Sequence, residues 1–189
     1  MKKLILFLTI ALLCYACGES YMPKPRGYFR ISFPEKSYHP LSAKLPYSFD
    51  LADYSTIQFT HDRKTGDEWV NLVTPANKAD VHLTYVRLNG NLNTHIEESR
   101  KLAYDHTIKA DAINEQLYLD PANNVYGTIY HIEGNAASPL QFYLTDSTQH
   151  FLRGAFYIRE IPNIDSIQPV IDFLEPDLIH LIETFRWKE

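Results

Sequence analysis

The segments QLYL (116–119), VYGTIYHIE (125–133), PLQFYLT (139–145) and HFLRGAFYIR (150–159) follow one another with little between them. All four are rich in β-branched and aromatic residues, which suit a pleated, half-buried surface. The connections PANN (121–124), GNAAS (134–138) and DSTQ (146–149) are four or five residues long. Links that short join antiparallel neighbours, because a parallel crossover needs about a dozen residues. Leu140, Phe142 and Leu144 share one face, and Leu152, Phe156 and Ile158 share one face of the next strand. Tyr143, Phe151, Ala155 and Tyr157 load the opposite faces, which predicts a meander covered on both sides.

Downstream, Ile167, Val170, Ile171, Leu174, Leu178, Leu181, Ile182 and Phe185 recur at helical spacing and predict a helix from about Ser166. Pro169 fits a first turn. Pro176 predicts a kink or a restart, with Asp177 capping the second half. Upstream, Thr94-x-x-Glu97 reads as a capping box. It opens a helix whose apolar stripe is Ile96, Leu102, Ala103, Ala110 and Ile113, with His106 at the boundary of that stripe. Before it, residues 46–51, 55–61, 69–74 and 79–88 read as strands, with a charged turn at 62–66. Strands, a helix, an antiparallel meander and a final helix make an α+β domain over residues 46–189, an antiparallel sheet with packed helices.

The N-terminal residues have a different composition. Lys2 and Lys3 precede an apolar run from Leu4 to Leu13 that leads to Ala16-Cys17-Gly18. This is the layout of a signal peptide over residues 1–16. It also reads as a lipoprotein cleavage site, with Cys17 as the acylated residue, although Cys14 and Tyr15 are unusual before such a site. Plain secretion and an uncleaved anchor are the other readings. A diacylglyceryl thioether plus an amide-linked chain gives the two-chain anchoring that a stable membrane attachment needs.

Residues 17–45 then read as lipid anchor and arm. Five of the eleven prolines fall within residues 22–47: Pro23, Pro25, Pro34, Pro40 and Pro46. Such density favours extended backbone. Lys24, Arg26, Arg30 and Lys36 face only Glu35 within 21–36. Two readings stand. The arm docks Tyr28, Phe29, Ile31 and Phe33 on the domain, or it is a recognition segment for anionic lipid or a partner.

Across the 189 residues, 18 Lys and Arg stand against 23 Asp and Glu, a net charge of −5. That balance argues against nucleic-acid binding, which needs a basic footprint. Both Cys residues lie in the first 17 positions, so the body carries no disulfide and no thiolate metal site. The eight His residues show no close ligand spacing, and no metal or cofactor is expected. No nucleophile elbow, Walker loop, zincin helix or dinucleotide-binding glycine fingerprint is present. Asp146, Ser147 and His150 supply triad residue types, but within five positions of a hairpin they read as turn chemistry. No enzymatic activity is expected. Arg153 stands mid-strand on the face of Tyr157. A cation there needs an internal acidic partner or a charged binding surface.

The run Tyr21-Met22-Pro23-Lys24-Pro25-Arg26-Gly27-Tyr28-Phe29-Arg30-Ile31 after such a signal resembles the start of the GldD gliding-motility lipoproteins. The resemblance continues through His106 with Lys109-Ala110-Asp111-Ala112-Ile113, and through Ala137-Ser138-Pro139-Leu140-Gln141-Phe142. It takes in Thr145-Asp146-Ser147, His150-Phe151-Leu152-Arg153-Gly154 and Pro162-Asn163-x-Asp165-Ser166. It implies a membrane-anchored lipoprotein of a Gram-negative cell envelope, facing the periplasm. It also implies support of gliding motility and type IX protein secretion by assembling or stabilising an envelope complex with other envelope proteins. The order of elements is similar to the α/β/α sandwiches of the PsbP and Mog1 type. A periplasmic lipid- or small-ligand-binding module is the alternative, and a cryptic hydrolase the remoter one. The expected partner surface combines the arm and the Asp146–Arg153 hairpin, with Arg26, Tyr28, Phe29, Arg30, His150 and Arg153 as contacts.

Overall fold

The computed structural model describes residues 31–61, 68–160 and 163–188. The signal, Cys17, the arm up to Arg30 and the charged turn at 62–66 lie outside the described residues.

The strands are β1 (Tyr38–Pro40), β2 (Tyr47–Ser48), β3 (Asp50–Ala52), β4 (Thr56–His61), β5 (Glu68–Thr74), β6 (Ala79–Arg87), β7 (Ala110–Asp120), β8 (Val125–Gly134), β9 (Leu140–Thr145), β10 (His150–Ile158) and β11 (Arg186–Trp187). Helix α1 is Leu92–Tyr104 and α2 is Ile164–Glu183. Seven strands form one sheet in the order β4-β5-β6-β10-β9-β8-β7, every neighbouring pair antiparallel. The meander from β7 to β10 is as the short connections predict. β10 then pairs with β6, which joins the meander to the β4–β6 unit. Two short pairs, β1–β3 and β2–β11, flank the sheet. Residues 38–41, read from the sequence as arm, supply β1 and the buried Leu41.

Register sorts the side chains. Leu152 faces Leu144, Gly154 faces Phe142 and Phe156 faces Leu140, so the apolar stripes of β9 and β10 merge into one surface. Helix α2 covers it with Ile167, Ile171, Leu174, Leu178, Leu181 and Ile182. On the other side, Ala103 of α1 packs with Tyr130, Ile132, Tyr143 and Phe151. Helix, sheet and helix are therefore stacked in three layers.

Three local expectations change. The N-cap of α1 is Asn91, and Thr94 lies inside the first turn with its N–H on the Asn91 carbonyl at 3.1 Å. Asn91 Oδ1 instead accepts the Asn89 N–H at 2.9 Å. Second, α1 stops at Tyr104. A 3-10 turn over Asp105–Ile108 redirects the chain, so Ala110 and Ile113 belong to β7, where pairing with Gly134 and Ile132 replaces the helical stripe. Third, α2 runs from Ile164 to Glu183 with both prolines inside it, so there is no restart at Pro176.

Asp177 does not cap a half-helix; it holds Lys36, Tyr38 and Tyr54. Lys36 Nζ and Tyr38 OH donate to its Oδ1 at 2.6 and 2.7 Å, and Tyr54 OH donates to Oδ2 at 2.5 Å. Lys36 Nζ also donates to the Phe173 carbonyl at 2.6 Å, in the stretch where Pro176 interrupts the helix ladder. Phe33 stacks on the Phe173 ring at 4.3 Å. Phe33 thus docks as the arm reading expects, while Ile31 is 43% exposed.

Burial, then the Asp177 hydrogen bond, raises the phenols of Tyr38 and Tyr54, and burial raises Tyr47 and Tyr130. Each folded pKa lies above the unfolded value of 10.0. The fold therefore keeps protons that the unfolded chain loses, and stability falls as pH rises through and beyond that value. In alkaline titration, phenolate absorbance of these residues should appear together with loss of far-UV circular dichroism. Ionisation of all tyrosines near their free value with the fold intact would count against this burial.

Candidate functional site

The β9–β10 hairpin is built by its first acidic residue. Asp146 Oδ1 accepts the N–H groups of Thr148, Gln149 and His150 at 3.0, 2.8 and 2.8 Å, and Oδ2 accepts the Thr148 hydroxyl at 3.0 Å. Burial works to raise the Asp146 pKa, but these donors outweigh it and hold the carboxyl below its ordinary value. Ser147 takes a left-handed φ of 68° and gives its N–H to Thr145 Oγ1 at 2.9 Å. Asp146 is thus committed to the turn.

His150 turns away from both. Its Nδ1 meets the Tyr85 hydroxyl at 2.7 Å, and its ring stacks on Trp187 at 5.0 Å with 16° between the planes. Trp187 donates Nε1–H to the Asn124 carbonyl at 3.2 Å and stands edge-on to Phe185 at 4.7 Å. Pairing of β11 with β2, Trp187 opposite Tyr47, carries the C-terminus to this place. Tyr85, His150 and Trp187, together with Pro46, Arg87 and Lys188, line an open cleft of about 880 Å³ at one end of the sheet. Three aromatic rings form its wall and two cations stand beside them. Tyr85, Arg87, Trp187 and Lys188 are absent from the sequence-based expectation, because they come from β6 and the C-terminus. The run Phe185-Arg186-Trp187-Lys188 is the signal that could have marked them.

The expected grouping of His150 with Arg153 does not form. Alternation places His150 on the α2 side of β10 and Arg153 on the α1 side, where it lies opposite Thr84 and Tyr143. Arg153 is half-buried. Its Nη2 donates to the Gln141 side-chain oxygen at 2.5 Å, so its internal partner is a neutral amide and not a carboxylate. Burial lowers the guanidinium pKa, with the nearby Tyr157 opposing. His106, in the turn after α1, is half-buried; burial and then the Arg153 charge lower its pKa. Arg26, Tyr28, Phe29 and Arg30 lie outside the described residues.

Among the described residues no group of three or more His, Cys, Asp or Glu is placed to hold a metal, and no helix is long and apolar enough to cross a membrane. A small pocket beneath α2, lined by Leu51, Leu72, Val81 and Phe156 together with Asp80 and Asp177, has about 30 Å³, room for about one water.

A solved structure similar to this chain is the solution structure of cyanobacterial PsbP (CyanoP) from Synechocystis sp. PCC 6803. It is 9% identical, with 87% of this chain and 98% of that chain covered and a TM-score of 0.50. The likeness bears on the fold, and it agrees with the three-layer PsbP-type arrangement. The comparison with curated proteins found no match. The family described as gliding motility lipoprotein GldD matches residues 18–187, from the residue after Cys17 to the tryptophan of the cleft. The chain therefore belongs to the GldD family of gliding motility lipoproteins.

Proposed function

We propose that this protein is held at the membrane by acylated Cys17, faces the periplasm, and stabilises an envelope complex that serves gliding motility and type IX protein secretion. The observation that carries the protein-contact reading is the open cleft at the sheet end. It presents Tyr85, His150 and Trp187 beside Arg87 and Lys188. Aromatic rings and arginine are the usual anchors of protein interfaces. A lipid carrier needs a deep apolar cavity of several hundred Å³, whereas the space under α2 admits about 30 Å³ and the large cleft is open and mostly polar.

The test is affinity purification of the acylated full-length protein from its native membrane. Defined envelope components of the secretion and motility machinery should co-purify, and Trp187→Ala should reduce their recovery about tenfold or more while the protein stays folded. Cys17→Ser should move the protein to a soluble fraction. Recovery of no envelope component with the wild-type protein would defeat the assembly reading. A Cys17→Ser variant that stays membrane-bound would defeat the anchor assignment.

A further inference from the structure

Strand β7 is an edge of the seven-stranded sheet and is 11 residues long. Its backbone groups point alternately into the sheet and away from it. The Ile132 N–H donates to the Pro139 carbonyl at 2.8 Å, so Ile132 turns its backbone groups toward β9. Alternation then turns Val125, Gly127, Ile129 and His131 toward β7, where they stand opposite Asp120, Tyr118, Gln116 and Asn114. Ile113, Glu115, Leu117 and Leu119 are left with N–H and C=O pointing away from the sheet. Among the described residues, no backbone hydrogen bond outside the ladders involves these groups. Their side chains share the α1 side of the sheet, and Leu117 and Leu119 are 73% and 66% exposed.

Natural edges are blunted by lysine, proline or bulges. The stretch from Ile113 to Leu119 has none of these; the bulge at Ala110/Ala112 and Pro121 lie beyond its two ends. A row of alternating backbone donors and acceptors is matched by another extended strand.

A second copy of β7 fits this edge antiparallel, about a two-fold axis. The outward residues must face one another, and three centres keep most of the strand paired. Centring on Glu115 sets that carboxylate directly against its own copy, which is unfavourable. Centring on Leu117 sets Ile113 opposite Pro121, which has no N–H. Centring on Gln116 sets Ile113 against Leu119 and Glu115 against Leu117, and each exchanges both backbone bonds with its opposite number. Asp120 then falls opposite Ala112, so no acid faces an acid. Glu115 is already paired with Arg100 at 3.3 Å and Asp120 with Arg186 at 3.6 Å, which lowers the repulsion between two such edges.

We propose that this protein pairs with a second copy of itself through β7, centred on Gln116, to form one antiparallel sheet across two chains. Leu119 of each copy is then covered beside Ile113 of the other, which packs at the margin of the α1 cluster. Leu117 is covered beside Glu115, whose carboxylate accepts from Tyr104 OH at 2.8 Å. The pairing goes beyond the envelope-complex reading and does not depend on what occupies the Trp187 cleft.

Oxidative crosslinking in membranes of the native host tests it, on the acylated full-length protein carrying one new cysteine. Gln116→Cys lies on the axis at a non-hydrogen-bonded pair, where opposite Cα atoms are about 4.5 Å apart and within disulfide reach. Asn114→Cys is exposed on the same strand, but in this register it stands about 14 Å from its copy. Gln116→Cys should therefore give a disulfide dimer about tenfold or more above Asn114→Cys. Adding Leu117→Glu sets a carboxylate opposite Glu115 and removes apolar burial in both copies. It should cut the dimer about tenfold or more, with the circular dichroism of the fold unchanged.

A Gln116→Cys dimer no stronger than that of Asn114→Cys overturns the pairing, as does one that Leu117→Glu leaves undiminished. A disulfide from Gln116→Cys to a different membrane protein, in place of the dimer, gives the edge to another strand and also overturns self-pairing.

Discussion

Gly127→Ala should yield a protein that fails to fold or melts far below the wild type. Gly127 sits in β8 opposite Leu144 of β9 and Tyr118 of β7. A Cβ at this position would lie 2.0 Å from the Tyr143 carbonyl oxygen and 3.0 Å from Leu144 Cδ2. The nearer obstacle is backbone of the neighbouring strand, which no rotamer change can move. Relief requires β8 and β9 to separate inside the sheet, where Leu144 and Val125 are fully buried. Overpacking a well-filled core costs about 1–3 kcal/mol, and a backbone clash belongs at or above the top of that range. Chemical denaturation of a secreted, non-acylated form gives the measurement. A loss below about 1 kcal/mol would show that β8 can shift at Gly127 and that the strand spacing is not fixed there.

Asp177→Ala should cost about 3 kcal/mol, because it removes three hydrogen bonds, one of them to a lysine ammonium. The carboxylate side chain is 11% exposed, so solvent does not replace what is lost. Tyr38 and Tyr54 would keep half-buried hydroxyls without their carboxylate acceptor. The ion pair with Lys36 contributes the smaller share, since Lys36 is 32% exposed. The damage should be local first. Hydrogen exchange should quicken in residues 33–40 and 50–55, and protease should gain access after Lys36, while amides of β8 to β10 change least. Asp177→Asn keeps two acceptor sites on the oxygen and should lose less. Equal protection of residues 33–40 in wild type and Asp177→Ala would mean that Phe33 on Phe173 holds this segment alone.

The hairpins of the meander were legible because their determinants are local. Alternating apolar residues, four-residue links and an Asp at the start of DSTQ need no distant partner to act. The long apolar stripe of α2 was legible for the same reason, and so was its one apolar face. The helix start at Thr94 was misread because Asn91 and Thr94 both offer capping oxygens, and the approach of the chain from β6 decides between them. Pro176 was misread because the helix is held on both sides of it from distant residues: Lys36, 137 residues before Phe173, donates to the Phe173 carbonyl, and Asp177 accepts from Lys36, Tyr38 and Tyr54.

The sequence by itself determined the α+β class, the antiparallel order from β7 to β10, the family and the turn role of Asp146. All of these follow from nearest neighbours along the chain or from strings of residues. Tertiary structure alone decided which side chains meet. Parity along β10 sends His150 and Arg153, three residues apart, to opposite faces of the sheet. The pairing of β11 with β2 brings Trp187 onto His150, and the packing of β9 against β10 gives Arg153 the Gln141 amide as its partner in place of an acid. Those outcomes depend on register and on the closure of β10 against β6, which are set by burying the apolar faces of the whole sheet at once.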